Sequence, residues 1–393
     1  MLLEKKKEEM VSVHIPKICR DKLEGYALSL KELSESIQSE CLYGGNDRQE
    51  LLLAEKYRES TQILCGNLED ISRLLENAAK DVFSYIPLED KKRKNIIHIL
   101  KDEGILVTDI CFIPSEDRMA LSVSMYTDRK ELYNAKDVAS MLSVLFRLPL
   151  ELSVTSPCSI DRICKNYLFV QKADFFALTG YAKATKENES ISGDSYSFLE
   201  SEQGKVIMLL SDGTGSGKDA CKNSERTLDL AERMLEAGYE TETVIHLLNS
   251  ALVVSGENQN YPTLDICEVN LYEGSCCFYK VGGAPSFIKG EKGVEILQAG
   301  SLPLGVFKEP VLKKEKRMLQ SGDFVLMMSD GVLEAFGDWE YEEAVRKLLN
   351  SWQEENPGTL AEKILQTAIK KSEGRIRDDM TVLVVGIWEN NRA

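Results

Sequence analysis

Two separate stretches of this chain end an apolar run in the same three residues. Val206–Leu210 is five apolar residues without a break and runs into Ser211-Asp212-Gly213, and Phe324–Met328 is five more running into Ser329-Asp330-Gly331. An uninterrupted run of that length, closed by glycine, fits a strand buried on both faces. Each therefore delivers a carboxylate from the core to an edge. Asp378 and Asp379 stand directly before a third run, Met380–Val385, and a further acid, Asp194, sits in Ser-Gly-Asp-Ser-Tyr-Ser. One Asp at a strand end is ordinarily a turn or cap residue. Four such positions in one chain ask for a common cause.

Carboxylates crowded into one pocket cannot all ionise unless a cation lies between them. Asp oxygens completed by water suit a hard divalent ion such as Mg or Mn. The three histidines, His14, His98 and His246, have no metal-ligand spacing, which leaves zinc little to bind. A phosphomonoester is a substrate such a site would serve, because its negative charge makes it very slow to hydrolyse unaided. Two divalent ions about 3.5–4 Å apart lower the pKa of a shared water and neutralise the phosphoryl oxygens.

The order of the acids resembles the metal-dependent PPM, or PP2C-type, Ser/Thr phosphatases. The likeness runs over about the last 220 residues and rests on Ser192-Gly193-Asp194, Ser211-Asp212-Gly213, Ser329-Asp330-Gly331 and Asp378-Asp379-Met380-Thr381. It implies an α/β (α+β) fold, an α-β-β-α sandwich of two antiparallel sheets. It also implies hydrolysis of protein phosphoserine or phosphothreonine by a metal-bridging hydroxide. Asp212 would then bridge two Mn or Mg ions, with Asp194 and the Gly213 carbonyl on one ion and Asp330 with Asp378 on the other; Asp379 is the alternative to Asp378. Gly213 is expected to take a positive φ that opens its carbonyl to an ion. Many relatives grip phosphate with Arg. The comparable position here is Lys183, a point charge with less geometric control, whose other reading is an exposed strand-end lysine. Gly283-Ala284-Pro285-Ser286-Phe287-Ile288-Lys289 and Leu302-Pro303-Leu304-Gly305 bring the wording nearest to the family's bacterial sporulation members. That likeness implies a phosphorylated anti-sigma factor antagonist as substrate and activation of a sporulation sigma factor.

A net charge of −16 and a pI near 4.9 exclude the basic surface that nucleic acid requires. Lys5–Lys7 and Lys91–Lys94 are short basic runs and read as solvated faces. The 10 cysteines carry no C-x-x-C repeat, and no signal peptide is evident, so a reducing, cytoplasmic setting is expected. No apolar run reaches the roughly 18 residues of a membrane helix. The chain therefore reads as a soluble relative or as a fragment of a longer, membrane-associated protein.

At 393 residues, two or three domains are expected. Residues 1–87 read as a helical segment broken at Gly44-Gly45 and capped again at Asn46 or Asp47. Ala54, Tyr57, Thr61, Leu64, Leu68, Ile71, Leu75, Ala78 and Val82 then recur at spacings of three and four. That pattern fits a coiled-coil seam, either in an antiparallel hairpin with the first helix or in a homodimeric stalk. Residues 88–170 follow an αββαββ order, suited to a ferredoxin-like or ACT-like regulatory module. Residues 171–393 hold the phosphatase-like pattern, with helices over Lys218–Ala237 and Thr241–Ser255 directly after Gly213. Those helices could gate metal occupancy if the N-terminal modules bias them. His246 falls off the apolar stripe of its helix and reads as a surface residue.

Two competing readings remain. Gly213-Thr-Gly-Ser-Gly-Lys218 looks like a nucleotide-binding P-loop, but Asp212 stands where that loop needs glycine and Asp219 where it needs Ser or Thr. The second is a catalytically weak or inactive binding module on the same fold.

Overall fold

A computed structural model describes residues 17–39, 48–81, 86–114, 119–130, 132–201, 204–213, 215, 217–255, 261–298, 302–307, 309–310, 312–337, 340–353 and 356–390. The predicted break at Gly44-Gly45, the cap at Asn46 or Asp47, and Val82 lie outside the described residues. The chain divides into two compact units, residues 1–43 with 64–172 and residues 44–63 with 173–393.

In the first unit, Ser72 Oγ donates to the Ala27 carbonyl at 2.7 Å and Ser34 Oγ to the Cys65 carbonyl at 3.2 Å. These bonds join the helices Lys17–Ser39 and Arg48–Asp81 in antiparallel register. Small residues, Ala27, Cys65, Ser72 and Ala79, are buried at the contact. Leu64, expected on the seam, is 48% exposed, so the buried face lies about one residue further round the helix. A five-stranded antiparallel sheet follows, in the spatial order Ile86–Pro87, Ile105–Pro114, Met119–Thr127, Lys165–Gln171, Leu150–Leu152. The helices Asp90–Asp102 and Ala135–Phe146 bury Ile96, Leu100, Val138 and Leu142 among Leu121, Val123, Tyr167 and Phe169. Asn134 starts the second of these by accepting the Lys136 amide at 3.0 Å, a side-chain N-cap.

Residues 173–390 of the second unit carry ten strands and five helices among the described residues. The strands are β1 (Phe175–Ala184), β2 (Asp194–Ser201), β3 (Lys205–Asp212), β4 (Leu264–Asn270), β5 (Ser275–Val281), β6 (Ser286–Gly290), β7 (Gly293–Leu297), β8 (Lys313–Met318), β9 (Phe324–Met328) and β10 (Met380–Glu389). The helices are α1 (Lys218–Glu236), α2 (Thr241–Ser255), α3 (Asp330–Glu334), α4 (Tyr341–Asn350) and α5 (Pro357–Lys371). One antiparallel sheet runs β8-β5-β4-β3-β2 and the other β7-β6-β9-β10-β1.

Their apolar runs are buried on both faces because each sheet has a second sheet on one side and helices on the other. Val206, Met208 and Leu210 point at Val325, Met327, Leu383 and Val385 between the sheets. Ile207 and Leu209, the alternate residues of β3, meet Leu228, Val244 and Leu248 of α1 and α2. Leu326, Val382 and Val384 likewise pack on Val345, Leu360 and Ile364 of α4 and α5. This is the α-β-β-α sandwich that the acidic motifs implied. Strand β8 was not legible beforehand: Lys-Lys-Glu-Lys-Arg-Met has no apolar alternation. It is an edge strand, where charge is the usual guard against pairing with another chain.

Candidate active site

Strands β2 and β3 pair so that Asp194 lies directly opposite Asp212. Like charges in that relation repel, so the strand ends have to be fixed by other bonds. The Asp212 amide donates to Thr263 Oγ1 at 3.0 Å, and the Thr263 amide donates back to the Asp212 carbonyl at 2.9 Å. From the second sheet, β9 hands its chain to α3 at Asp330, and β10 begins just after Asp378 and Asp379. The Ser329 amide donates to the Thr381 carbonyl at 3.0 Å, and the Thr381 amide to Ser329 Oγ at 2.9 Å. Thr381 Oγ1, from the second sheet, donates to Asp194 Oδ2 of the first at 2.6 Å, and Asp330 lies near enough to Asp212 for their charges to interact. Acids separated by over a hundred residues thus meet at one place.

Their ionisation records the crowding. Burial pushes Asp212 up to about 8, helped by the negative charges of Asp194, Asp330, Asp378 and Asp379. Burial also raises Asp194, to about 6, against hydrogen bonds from Thr381 and Ser329. Asp330 is raised by burial and by Asp378. Among the described residues, no three acid, thiol or imidazole side chains are gathered tightly enough to enclose an ion as they stand.

The remaining sequence candidates have distinct surroundings. Asp378 has a 44% exposed side chain, and its Oδ1 accepts the Asp379 amide at 2.9 Å. Asp379 is buried, and its two oxygens accept the amides of Lys186 at 2.9 Å and Gly193 at 2.7 Å. Asp379 therefore braces the loop that leads into Asp194. The Lys183 ammonium donates to the main-chain carbonyl of Asp194 at 2.6 Å and so props a strand end. Lys186, which sequence reasoning passed over, places its ammonium 3.7 Å from Asp378 Oδ1. The expected positive φ at Gly213 is not found. Glycine is needed there for space: a Cβ would lie 2.3 Å from the Ala220 carbonyl oxygen in the first turn of α1. The helix start is seated directly on that turn. Gly331 is similarly close-packed, 2.2 Å from the Asp379 carbonyl oxygen by the same measure. His246 is partly exposed, with Nδ1 3.8 Å from Glu309 Oε2, away from the acids.

Two antiparallel sheets between helical layers, with acids from both converging at one edge, define a PP2C-type phosphatase domain. Comparison with known proteins agrees. The family model for stage II sporulation protein E (SpoIIE) matches residues 202–388. Stage II sporulation protein E of Bacillus subtilis (strain 168) is 27% identical over 371 residues, 93% of this chain and 44% of that protein. A solved structure of the PP2C phosphatase domain and a fragment of the regulatory domain of SpoIIE from Bacillus subtilis is 28% identical. It covers 87% of this chain and 96% of its own, with a TM-score of 0.63. The phosphoserine phosphatase RsbU of Bacillus subtilis (strain 168) is 21% identical over 201 residues, 50% of this chain and 60% of that protein. The chain is thus close to stage II sporulation protein E, and it spans about half the length of the curated relatives it matches.

Proposed function

We propose that this chain is a metal-dependent protein phosphatase that releases phosphate from phosphoserine or phosphothreonine. The observation that carries this reading is the meeting of Asp194 and Asp212 from one sheet with Asp330 from the other, in surroundings that penalise their ionisation. An all-oxygen set of buried carboxylates fits a hard divalent ion, Mn or Mg, because only added positive charge lets the acids ionise together. Asp212 would bridge two such ions, Asp194 and the Gly213 carbonyl would hold one, and Asp330 with Asp378 the other. When bound, such ions supply charge to neutralise the phosphoryl oxygens and to activate water.

The chain's own residues do the positioning. Asp379 holds the loop carrying Lys186 and Gly193; Thr381 orients Asp194; Thr263 fixes the backbone of Asp212. Lys186 would offer its ammonium to a phosphoryl oxygen beside Asp378, the part first considered for Lys183. The name of the relative RsbU, a phosphoserine phosphatase, supports phosphoserine. A phosphorylated anti-sigma factor antagonist is the proposed protein substrate, in keeping with the sporulation family, and the proposed setting is cytoplasmic. A homodimer through the N-terminal helices is proposed on the exposed Tyr26, Leu28 and Leu33.

The test is release of p-nitrophenol from p-nitrophenyl phosphate, and of phosphate from the phosphoprotein, with Mn and with a chelator. Mn-dependent release that is lost in Asp212→Ala is expected. The rival reading, an inactive binding module, takes its support from the absence of a ready-made ion cage among the described residues. It predicts no metal-dependent release of either product.

A further inference from the structure

Beside the acids lies a cavity of about 270 Å³. It opens where the two sheets meet. It is lined by Asp212 and Asp330, by the loop Gly282–Pro285, and by Leu333 and Tyr341. The loop is the crossing from β5 to β6, and it is built with unusual care. Lys280 is 3% exposed, and its ammonium bonds the Asp265 carboxylate, the Ala284 carbonyl and, at 2.9 Å, Ser286 Oγ. Asp265, equally buried, accepts the amides of Val281 and Gly283. A Cβ on Gly283 would lie 2.1 Å from Asp265 Oδ2, so only glycine lets the loop close on that carboxylate.

A buried ion pair is a poor source of stability, since desolvation offsets much of its attraction. What this pair does that an apolar pair could not is to hold a loop carbonyl and the amides of Val281 and Gly283 in one conformation. A rigid wall facing the reacting edge is the consequence. The cavity falls just short of the roughly 300–1,000 Å³ of sites for whole small molecules, and it suits a single side chain. Ala284, Pro285, Leu333 and Tyr341 make its walls largely apolar, and Glu334 among the lining residues disfavours a carboxylate.

We propose that this cavity is the subsite for an uncharged, apolar side chain next to the phosphoserine of the substrate, and that Lys280 is the residue that positions its wall. The subsite rests on the phosphatase reading, because the acids that would hold the phosphoryl group also line the cavity. Its occupant is therefore continuous with the phosphorylated residue.

The experiment uses two peptides that carry a non-hydrolysable phosphonate in place of phosphoserine and differ only in having leucine or glycine beside it. Their Kd values are measured by calorimetry on the full chain with Mn, for the wild type and for Ala284→Leu, which fills the cavity. The wild type is expected to bind the leucine peptide at least fivefold more tightly, and Ala284→Leu to bring the two within twofold or reverse them. Because each ratio is taken within one protein, any loss of folding or metal in the variant cancels. Lys280→Met with Asp265→Asn, which keeps the interior neutral but releases the loop, should move the ratio toward one. No preference in the wild type, or the same preference in Ala284→Leu, overturns the subsite. Turnover of p-nitrophenyl phosphate by the wild type is scored separately. If it fails while the leucine preference holds and responds to Ala284→Leu, the phosphatase reading is lost and the cavity stands.

Discussion

Asp212 keeps a proton to about pH 8 and Asp194 to about pH 6, against an ordinary carboxylate value of 3.8. Between about pH 4 and 8 the metal-free folded chain therefore binds more protons than the unfolded chain. Its stability must fall as pH rises through that window. Mn should reverse the trend by replacing the protons. Calorimetry in chelator is expected to show a Tm that drops from pH 5.5 to pH 8, a Mn-induced rise that is larger at pH 8, and a flatter pH slope in Asp212→Asn. A chelated Tm that climbs with pH would mean that the acids do not crowd. Lys186 gives a second prediction at this scale. If its ammonium meets phosphate, Lys186→Met should lower kcat/KM roughly ten- to hundredfold, the size of a charge-assisted hydrogen bond at about 1.5–3 kcal/mol. It should also weaken inhibition by inorganic phosphate. The same change removes a cation from beside Asp378, so less Mn should be needed for half-saturation. A lower Mn requirement with unaltered phosphate inhibition would reduce Lys186 to a salt-bridge partner. Lys186 could not have been found by spacing. It is one of 48 basic residues, and its place is set by a backbone bond to Asp379, 193 residues further along.

Most elements of the sandwich could be read in advance because burial on both faces leaves an unbroken apolar run. Phe324–Met328 and Met380–Val385 announced β9 and β10 in that way, and the same argument failed for the charged edge strand β8. Another thing that did not show was how a helix grips a strand end. Ser224 of α1 is fully buried and donates to the Gly193 carbonyl at 2.6 Å, while Ser195 Oγ and Ser224 Oγ lie 2.8 Å apart. Serine in a helix gives no such warning, since it is usually solvent-facing or capping. Gly193 directly precedes Asp194, so the bond ties α1 to a candidate ligand. Ser224→Ala should cost about 1–2 kcal/mol, or roughly 2–8 °C in Tm for a unit of this size. It should also raise the Mn concentration for half-maximal activity. A purely structural serine would lower Tm and leave that concentration unchanged.

At the scale of the whole chain, the two sheets of the sandwich, the core between them and all the candidate ligands lie within residues 173–390. The first unit has its own core, built on Leu121, Tyr167 and Phe169, and its open sheet face is polar, with Ser122 Oγ bonded to Asn166 Oδ1 at 2.9 Å. Because the sandwich and its core lie within residues 173–390, a chain lacking residues 1–165 is expected to fold and to hydrolyse p-nitrophenyl phosphate with Mn. What the N-terminal residues could change is metal occupancy. Gly213 has no room for a Cβ against Ala220, so a small movement of α1 would displace a carbonyl that is a candidate ligand. Mn titrations of the full and shortened chains separate the possibilities. A native circular dichroism spectrum with a shifted half-saturation supports regulation through α1, whereas identical rate and half-saturation would rule it out. A folded but inactive short chain would show instead that residues 1–165 are needed to complete the site.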